Sequence, residues 1–163
     1  MPILFLDRDG TLMHDVGYPR DPADVRLLPG AVESIRLLSE LRYTPAVVSN
    51  QSGIGRGLIA QSEADAVHNQ FVALFVAGSF IELPCYYCPH APEDDCSCRK
   101  PKPGLLLEAA RSFGEVVDEE CVMIGDKPSD VDAGRAAGCG LNLLFRGDWD
   151  DMVRQIGHHE RRS

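Results

Sequence analysis

The most constraining feature of this sequence is where its polar residues fall. Short apolar runs stop abruptly at clusters rich in Asp, Ser, Asn and Gly. Ile3-Leu4-Phe5-Leu6 meets Asp7-Arg8-Asp9-Gly10-Thr11, Pro45 to Val48 meets Ser49-Asn50-Gln51-Ser52-Gly53, and Cys121 to Ile124 meets Gly125-Asp126-Lys127-Pro128-Ser129-Asp130. Runs of this length bounded by such residues read as buried strands. Helix-period segments lie between them: Val32, Ile35, Leu38 and Leu41 recur every three residues from Ala31 to Leu41. Ser62 and Asp65 have the form of a capping box, with Val67, Phe71, Leu74 and Phe75 as the buried stripe and Gly78 as the stop. Further strands are predicted from Ile81 to Tyr87 and from Leu141 to Phe145. Further helices are predicted from Leu105 to Phe113, from a Ser129 cap to Gly138, and from Trp149 to Ile156. Strands alternating with helices at this spacing predict a doubly wound α/β fold, a parallel sheet covered on both faces.

The chain is 163 residues, the length of one average domain, so residues 1–163 are expected to form one unit that needs no disulfide staples. Sixteen Lys and Arg against 25 Asp and Glu, a formal charge of −9, argue against binding nucleic acid by phosphate attraction. No apolar run approaches the roughly 20 residues that cross a bilayer, and Met1 to Leu6 lacks the zones of a signal peptide. The expectation is a cytoplasmic monomer acting on a small molecule. The tail from His158 to Ser163 is expected to fray with its two histidines solvated. His14 and His68 read as surface residues, Cys121 and Cys139 as buried thiols, and Trp149 as a packing anchor.

In doubly wound sheets ligands bind beyond the carboxyl ends of the strands. Asp7 and Asp9 project to one side if the first strand continues that far. Carboxylates held together repel, so one takes a proton or a cation neutralises them. Asp126 arriving from another strand end makes an oxygen site suited to Mg²⁺. Any one of these aspartates alone reads as a loop former or helix cap; three gathered at two separate strand ends read as a site.

Asp7-x-Asp9-Gly10-Thr11, Ser49, Lys100 and Gly125-Asp126 with Asp130 resemble the four ordered motifs of the haloacid dehalogenase superfamily. The resemblance implies a Rossmann-like core. It implies Asp7 as a nucleophile that forms an aspartyl phosphate, and Asp9 as the acid and base for leaving group and water. Lys100 would offset charge, and Ser49 would hold phosphate oxygens. The implied Mg²⁺ ligands are the Asp7 and Asp126 side chains and the Asp9 carbonyl, with Thr11 and Asp130 supporting them from behind.

Cys88-Pro89-His90 and Cys96-Ser97-Cys98 supply three thiolates and an imidazole, the four-coordinate set of structural Zn²⁺, although not as paired CxxC knuckles. Cys85-x-x-Cys88 is a competing pair, but Cys85 falls in an apolar run and reads more simply as a buried strand thiol. A zinc-binding loop over residues 85–100 would fix Arg99-Lys100 directly after its last ligand.

This loop, with Asn50 to Gly57, is similar to the heptose 1,7-bisphosphate phosphatase branch, which shares it with histidinol-phosphate phosphatases. Both lack a large cap domain, and no gap between motifs here leaves room for one. Asp15-Val16-Gly17-Tyr18 and Ser52, where histidinol phosphatases tend to carry Asp, lean toward the heptose enzymes. The five residues between His90 and Cys96 are shared by the histidinol branch and some heptose enzymes. The resemblance implies that Asp15, Val16, Gly17, Tyr18, Asn50, Gln51, Ser52, Arg99 and Lys127 line the sugar-phosphate site. Arg99 is the first candidate for the phosphate that is not cleaved, with Arg56 and Arg146 behind it. A non-catalytic zinc-stabilised binding module is the alternative from another functional class.

Overall fold

In the computed structural model, which describes residues 1–161, the first apolar run is strand β1 (Ile3–Leu6). Helix α1 (Ala31–Glu40), β2 (Thr44–Asn50), the single turn α2 (Ser52–Gly55), α3 (Gln61–Ser79) and β3 (Cys85–Cys88) follow. The chain continues with α4 (Gly104–Ser112), β4 (Val122–Gly125), α5 (Pro128–Ala137), β5 (Leu141–Leu144) and α6 (Trp149–Glu160). All neighbouring strands pair in parallel, in the order β3-β2-β1-β4-β5.

Side chains alternate across a strand, so β1 feeds two cores. Leu4 and Leu6 face Ile35 and Leu38 of α1, Phe71 and Phe75 of α3, and Trp149 and Ile156 of α6. Ile3 and Phe5 face Leu105, Leu106 and Ala109 of α4 and Ala133 of α5. A strand buried on both faces must be apolar at every position, which is why β1 reads as a continuous run. The strand order reverses between β1 and β4, and a crevice opens there beyond their carboxyl ends. This is the doubly wound core, without a large cap. Among the described residues no helix is long and apolar enough to cross a membrane.

Several local expectations differ from the structure. The capping box of α3 uses Glu63, whose carboxylate accepts from the Ala60 backbone N–H at 2.8 Å, rather than Ser62 and Asp65. Leu74 is exposed, and Gly78 lies inside the helix, which ends at Phe80 in the left-handed region (φ 60°). Leu41 is 46% exposed because α1 stops at Glu40; Ala31, Ser34, Ile35 and Leu38 form its buried face. Ser129 is inside α5, and the Asp130 carboxylate instead accepts from the Lys127 N–H at 2.9 Å. The third strand begins only at Cys85, which is half-buried, its thiol donating to the Leu83 carbonyl at 3.2 Å. Helix α6 continues to Glu160, so His158 and His159 are helical, and the His159 ring contacts the Glu119 carbonyl at 3.2 Å. The rest of the expected frayed tail, residues 162–163, lies outside the described residues.

Candidate active site

β1 ends at Leu6, so the period-two argument for Asp7 and Asp9 does not apply. Asp7 extends the ladder by one bond, its N–H donating to the Ile124 carbonyl at 2.9 Å. The chain then turns around the Arg8 carbonyl, which accepts from the backbone N–H groups of Thr11, Leu12 and Met13. Asp9 is carried on this turn.

Three carboxylates do converge, but the third is Asp130. Asp7, Asp126 and Asp130 each place an oxygen within 4.8 Å of the other two. Asp130 was expected to stand behind the ligands; it belongs to the cluster because a Cβ at Gly125 would lie 2.3 Å from its Oδ2, so only glycine admits it there. Lys100, 3% exposed, answers this charge with all three ammonium hydrogens. Its Nζ lies 2.7 Å from Asp7 Oδ1, 2.6 Å from Asp130 Oδ1 and 2.7 Å from the Val48 carbonyl. Burial opposes the charged ammonium, yet Asp7 and Asp130 outweigh it and hold the Lys100 pKa above its usual value. Burial, then the Asp7 charge, push Asp126 up to about 6. Asp126 Oδ1 is buried without a hydrogen-bond partner among the described residues. An orphaned carboxylate oxygen beside two more carboxylates fits a hard divalent cation that binds through oxygen.

Asp9, 8% exposed, stands outside this three-carboxylate group and lines the neighbouring cavity with Lys100. Its carboxylate meets the Arg8 guanidinium edge, Nε at 3.2 Å from Oδ2 and Nη2 at 3.3 Å from Oδ1, and Gln51 Nε2 donates to Oδ2 at 2.7 Å. Burial raises its pKa above the usual carboxylate value, against Arg8 and with Asp7. Gln51 Nε2 also donates to Ser49 Oγ at 3.0 Å. Ser49 and Asn50 are the last residues of β2 rather than its following loop. Thr11 Oγ1 is buried with no partner among the described residues. The structure therefore shows no contact by which that hydroxyl would support the cluster, while the Thr11 carbonyl accepts from Trp149 Nε1 at 3.1 Å.

A cavity of about 540 Å³ is lined by Asp9, Lys100, Asp15, Gly17, Tyr18, Asn50, Gln51, Ser52, Arg99 and Lys127, together with Gly53, Pro101 and Ser129. Val16, expected among them, is exposed and does not line it. Arg56 and Arg146 are exposed and stand away from it. Arg99 lines the cavity, and its Nη1 is buried without a hydrogen-bond partner among the described residues. Asn50 faces the cavity but directs its amide to the backbone of Lys100: Oδ1 accepts from the Lys100 N–H and Nδ2 donates to the Lys100 carbonyl, both at 3.0 Å. Ser129, Pro101 and Arg8 were given no place in the site by the sequence, and Arg8, 2% exposed, is buried.

The ligand atoms of Cys88, His90, Cys96 and Cys98 all lie within 4.8 Å of one another. Cys98 Sγ is 3.1 Å from Cys88 Sγ and 3.5 Å from Cys96 Sγ, and 3.3 Å from His90 Nδ1. Burial pushes Cys88 up to about 12. Burial also opposes ionisation of Cys96, but the Arg99 N–H and its neighbouring thiols bring it down to about 7. This is a candidate metal-binding cluster, and Cys85 takes no part in it.

A family model described as haloacid dehalogenase-like hydrolase matches residues 17–138. The chain is 38% identical over 153 residues to the D-glycero-β-D-manno-heptose-1,7-bisphosphate 7-phosphatase of Vibrio cholerae, covering 89% of this chain and 81% of that protein. It is 40% identical over 144 residues to the Helicobacter pylori protein of the same name, covering 87% and 82%. The crystal structure of a D,D-heptose 1,7-bisphosphate phosphatase from B. bronchiseptica, complexed with magnesium and phosphate, superposes with a TM-score of 0.84 at 28% identity. That match covers 97% of this chain and 99% of the other. With motif residues meeting at the reversal of strand order and these matches spanning most of its length, the chain belongs to the haloacid dehalogenase-like hydrolases, in the branch that contains the heptose 1,7-bisphosphate phosphatases.

Proposed function

We propose that this protein is a Mg²⁺-dependent phosphatase that removes the 7-phosphate of D-glycero-D-manno-heptose 1,7-bisphosphate through an aspartyl phosphate on Asp7. The observation that carries this reading is the Asp7, Asp126, Asp130 and Lys100 cluster, which meets a polar cavity at Lys100, with Asp9 in the same cavity wall. Asp7 attacks phosphorus, and Lys100 holds its carboxylate in place while offsetting its charge. Asp9 gives a proton to the departing sugar oxygen and later takes one from the water that hydrolyses the acyl phosphate. Ser49 and backbone N–H groups hold the remaining oxygens. Asp7, Asp126 and the Asp9 carbonyl would hold Mg²⁺, which supplies neutralisation of the phosphoryl charge when bound.

The names of the relatives support a heptose bisphosphate, and the place of Arg99 in the cavity lining supports a second phosphate there. Asp15, Gly17, Tyr18, Gln51, Ser52 and Lys127 are the proposed sugar-facing residues. Zn²⁺ is the proposed occupant of the Cys88, His90, Cys96 and Cys98 cluster, since three sulfurs and one imidazole suit it better than a hard cation. Residues 1–163 are read as a single phosphatase domain carrying the 85–100 loop.

The test is phosphate release from heptose 1,7-bisphosphate and from histidinol phosphate under the same conditions. Higher kcat/KM on the heptose compound is expected; faster turnover of histidinol phosphate overturns the substrate. Asp7→Asn is expected to abolish turnover on both while the fold is kept. Turnover surviving in that variant would return the non-catalytic module to consideration, with the wild-type activity assigned to a contaminant.

A further inference from the structure

Next to the cavity that holds the proposed chemistry lies a second one of about 220 Å³, whose lining includes Arg8, Gln51, His68 and Tyr87. Arg8 and Asp9 are neighbours in sequence, yet their side chains meet edge to edge because the chain turns between them. Two guanidinium nitrogens bonded to both carboxylate oxygens, with Nη2 also 3.1 Å from Oδ2, restrict both the distance and the orientation of the carboxylate. Arg8 is itself gripped from behind. Its guanidinium carbon lies 5.2 Å from the ring centre of Tyr87, which sits on β3 in register with Ser49 of β2. The Tyr87 hydroxyl is 2.8 Å from His68 Nδ1 on α3, and the two rings meet edge to face at 84°. Burial and the Arg8 charge lower the pKa of His68, which favours the neutral ring and spares Arg8 a second cation.

We propose that Arg8, braced by Tyr87 and His68, is a positioning residue that aims the Asp9 carboxyl group at the oxygen leaving phosphorus. The inference rests on the reading of Asp9 as general acid given above. In that step the P–O bond breaks and its electron pair stays on the sugar oxygen. That oxygen takes the proton from the Asp9 carboxylic acid, and the resulting carboxylate is received by the guanidinium. A chain of contacts from α3 through β3 thus ends on Arg8 and, through it, on one carboxyl group, and His68, expected on the surface, is half-buried with a partner.

The experiment compares an alkyl phosphate, heptose 1,7-bisphosphate, with 4-nitrophenyl phosphate, whose phenolate leaves without needing a proton. kcat/KM is measured because it reports steps up to departure of the leaving group. Arg8→Lys keeps the charge and loses the fork. It is expected to lower kcat/KM about 10- to 100-fold on the sugar phosphate and far less on the aryl phosphate. Tyr87→Phe keeps the ring and loses the hydroxyl, and is expected to shift the ratio in the same direction by a smaller factor. Asp9→Asn sets the full size of the discrimination. If Asp9→Asn discriminates but Arg8→Lys slows both substrates equally, Arg8 merely balances charge and the inference is overturned while the proposed function stands. If Asp9→Asn does not discriminate, the general-acid assignment fails and takes the inference with it. Should Arg8→Lys not fold, the Tyr87→Phe ratio decides, and an unchanged ratio overturns the proposal.

Discussion

Lys100 has no ammonium hydrogen left over for a ligand, since Asp7, Asp130 and the Val48 carbonyl take all three. Its work is done on the protein's own carboxylates. Lys100→Met removes one side of a buried pair, so it is expected to lower stability by about 3 kcal/mol or more near neutral pH. The loss should shrink in acid as the carboxylates left behind take up protons, and thermal melts at two pH values check it. Asp126 titrates in an accessible range: burial and Asp7 raise its folded pKa to about 6, above an ordinary carboxylate's 3.8. A raised carboxylate pKa means that the metal-free protein loses stability as pH rises from about 4 through about 6, while a cation that needs the charged form binds more tightly over the same window. The increase in Tm on adding Mg²⁺ is therefore expected to be small at pH 5 and larger at pH 7. It should depend less on pH in Asp126→Asn. Asp7 and Asp126 were legible because aspartates just past buried strands have few other uses, and Lys100 was legible through the family likeness. Arg8 was not, because nothing in a linear sequence says that the chain will turn and bring two consecutive side chains face to face.

Among the elements, α4 packs directly on the segment that carries the Cys and His cluster. Its first residue, Gly104, packs so closely on the Cys96 to Cys98 segment that a Cβ would lie 2.3 Å from the Ser97 carbonyl oxygen. Alanine in the first turn of a helix is ordinarily favourable by about 1 kcal/mol over glycine. Here the contact with backbone reverses the sign. Gly104→Ala is expected to lower both the metal content of the Cys and His cluster and the rate, by shifting the segment that carries Lys100; metal analysis and kcat of the same preparation check both. The elements themselves were visible as alternating runs, whereas their ends depended on competition between neighbouring residues. Ser62 and Asp65 match a capping pattern as well as Glu63 does. The choice fell to Glu63 because the preceding chain brings the Ala60 N–H to it. Ser129 lost to Asp130 in the same way, since the Asp130 carboxylate both caps α5 and pairs with Lys100.

At the level of the molecule, the strand order places β1, β2 and β4 side by side, and their ends supply Asp7, Ser49 and Asp126. Lys100 is the exception: it comes from a loop, two residues beyond Cys98, held by Asn50 on one side and the Cys and His cluster on the other. Stripping metal from that cluster with a thiol-competitive chelator is expected to lower Tm and to abolish turnover even in excess Mg²⁺, with recovery on adding Zn²⁺ alone. Elemental analysis should find one zinc per chain before treatment. The parallel sheet and the motif order were legible from spacing. The wall of the cavity was legible only by family likeness, and Val16 shows the limit of that transfer, since its neighbours Asp15, Gly17 and Tyr18 turn inward and it does not. That wall has a further consequence. Asp15 reaches Lys127 at 3.6 Å across loops that follow β1 and β4, outside the two apolar cores. On the proposed function, mutational drift at this outer pair retunes which sugar is accepted and leaves the buried carboxylates and Lys100 beneath it untouched, a route by which gene duplicates diverge in diet while keeping one engine.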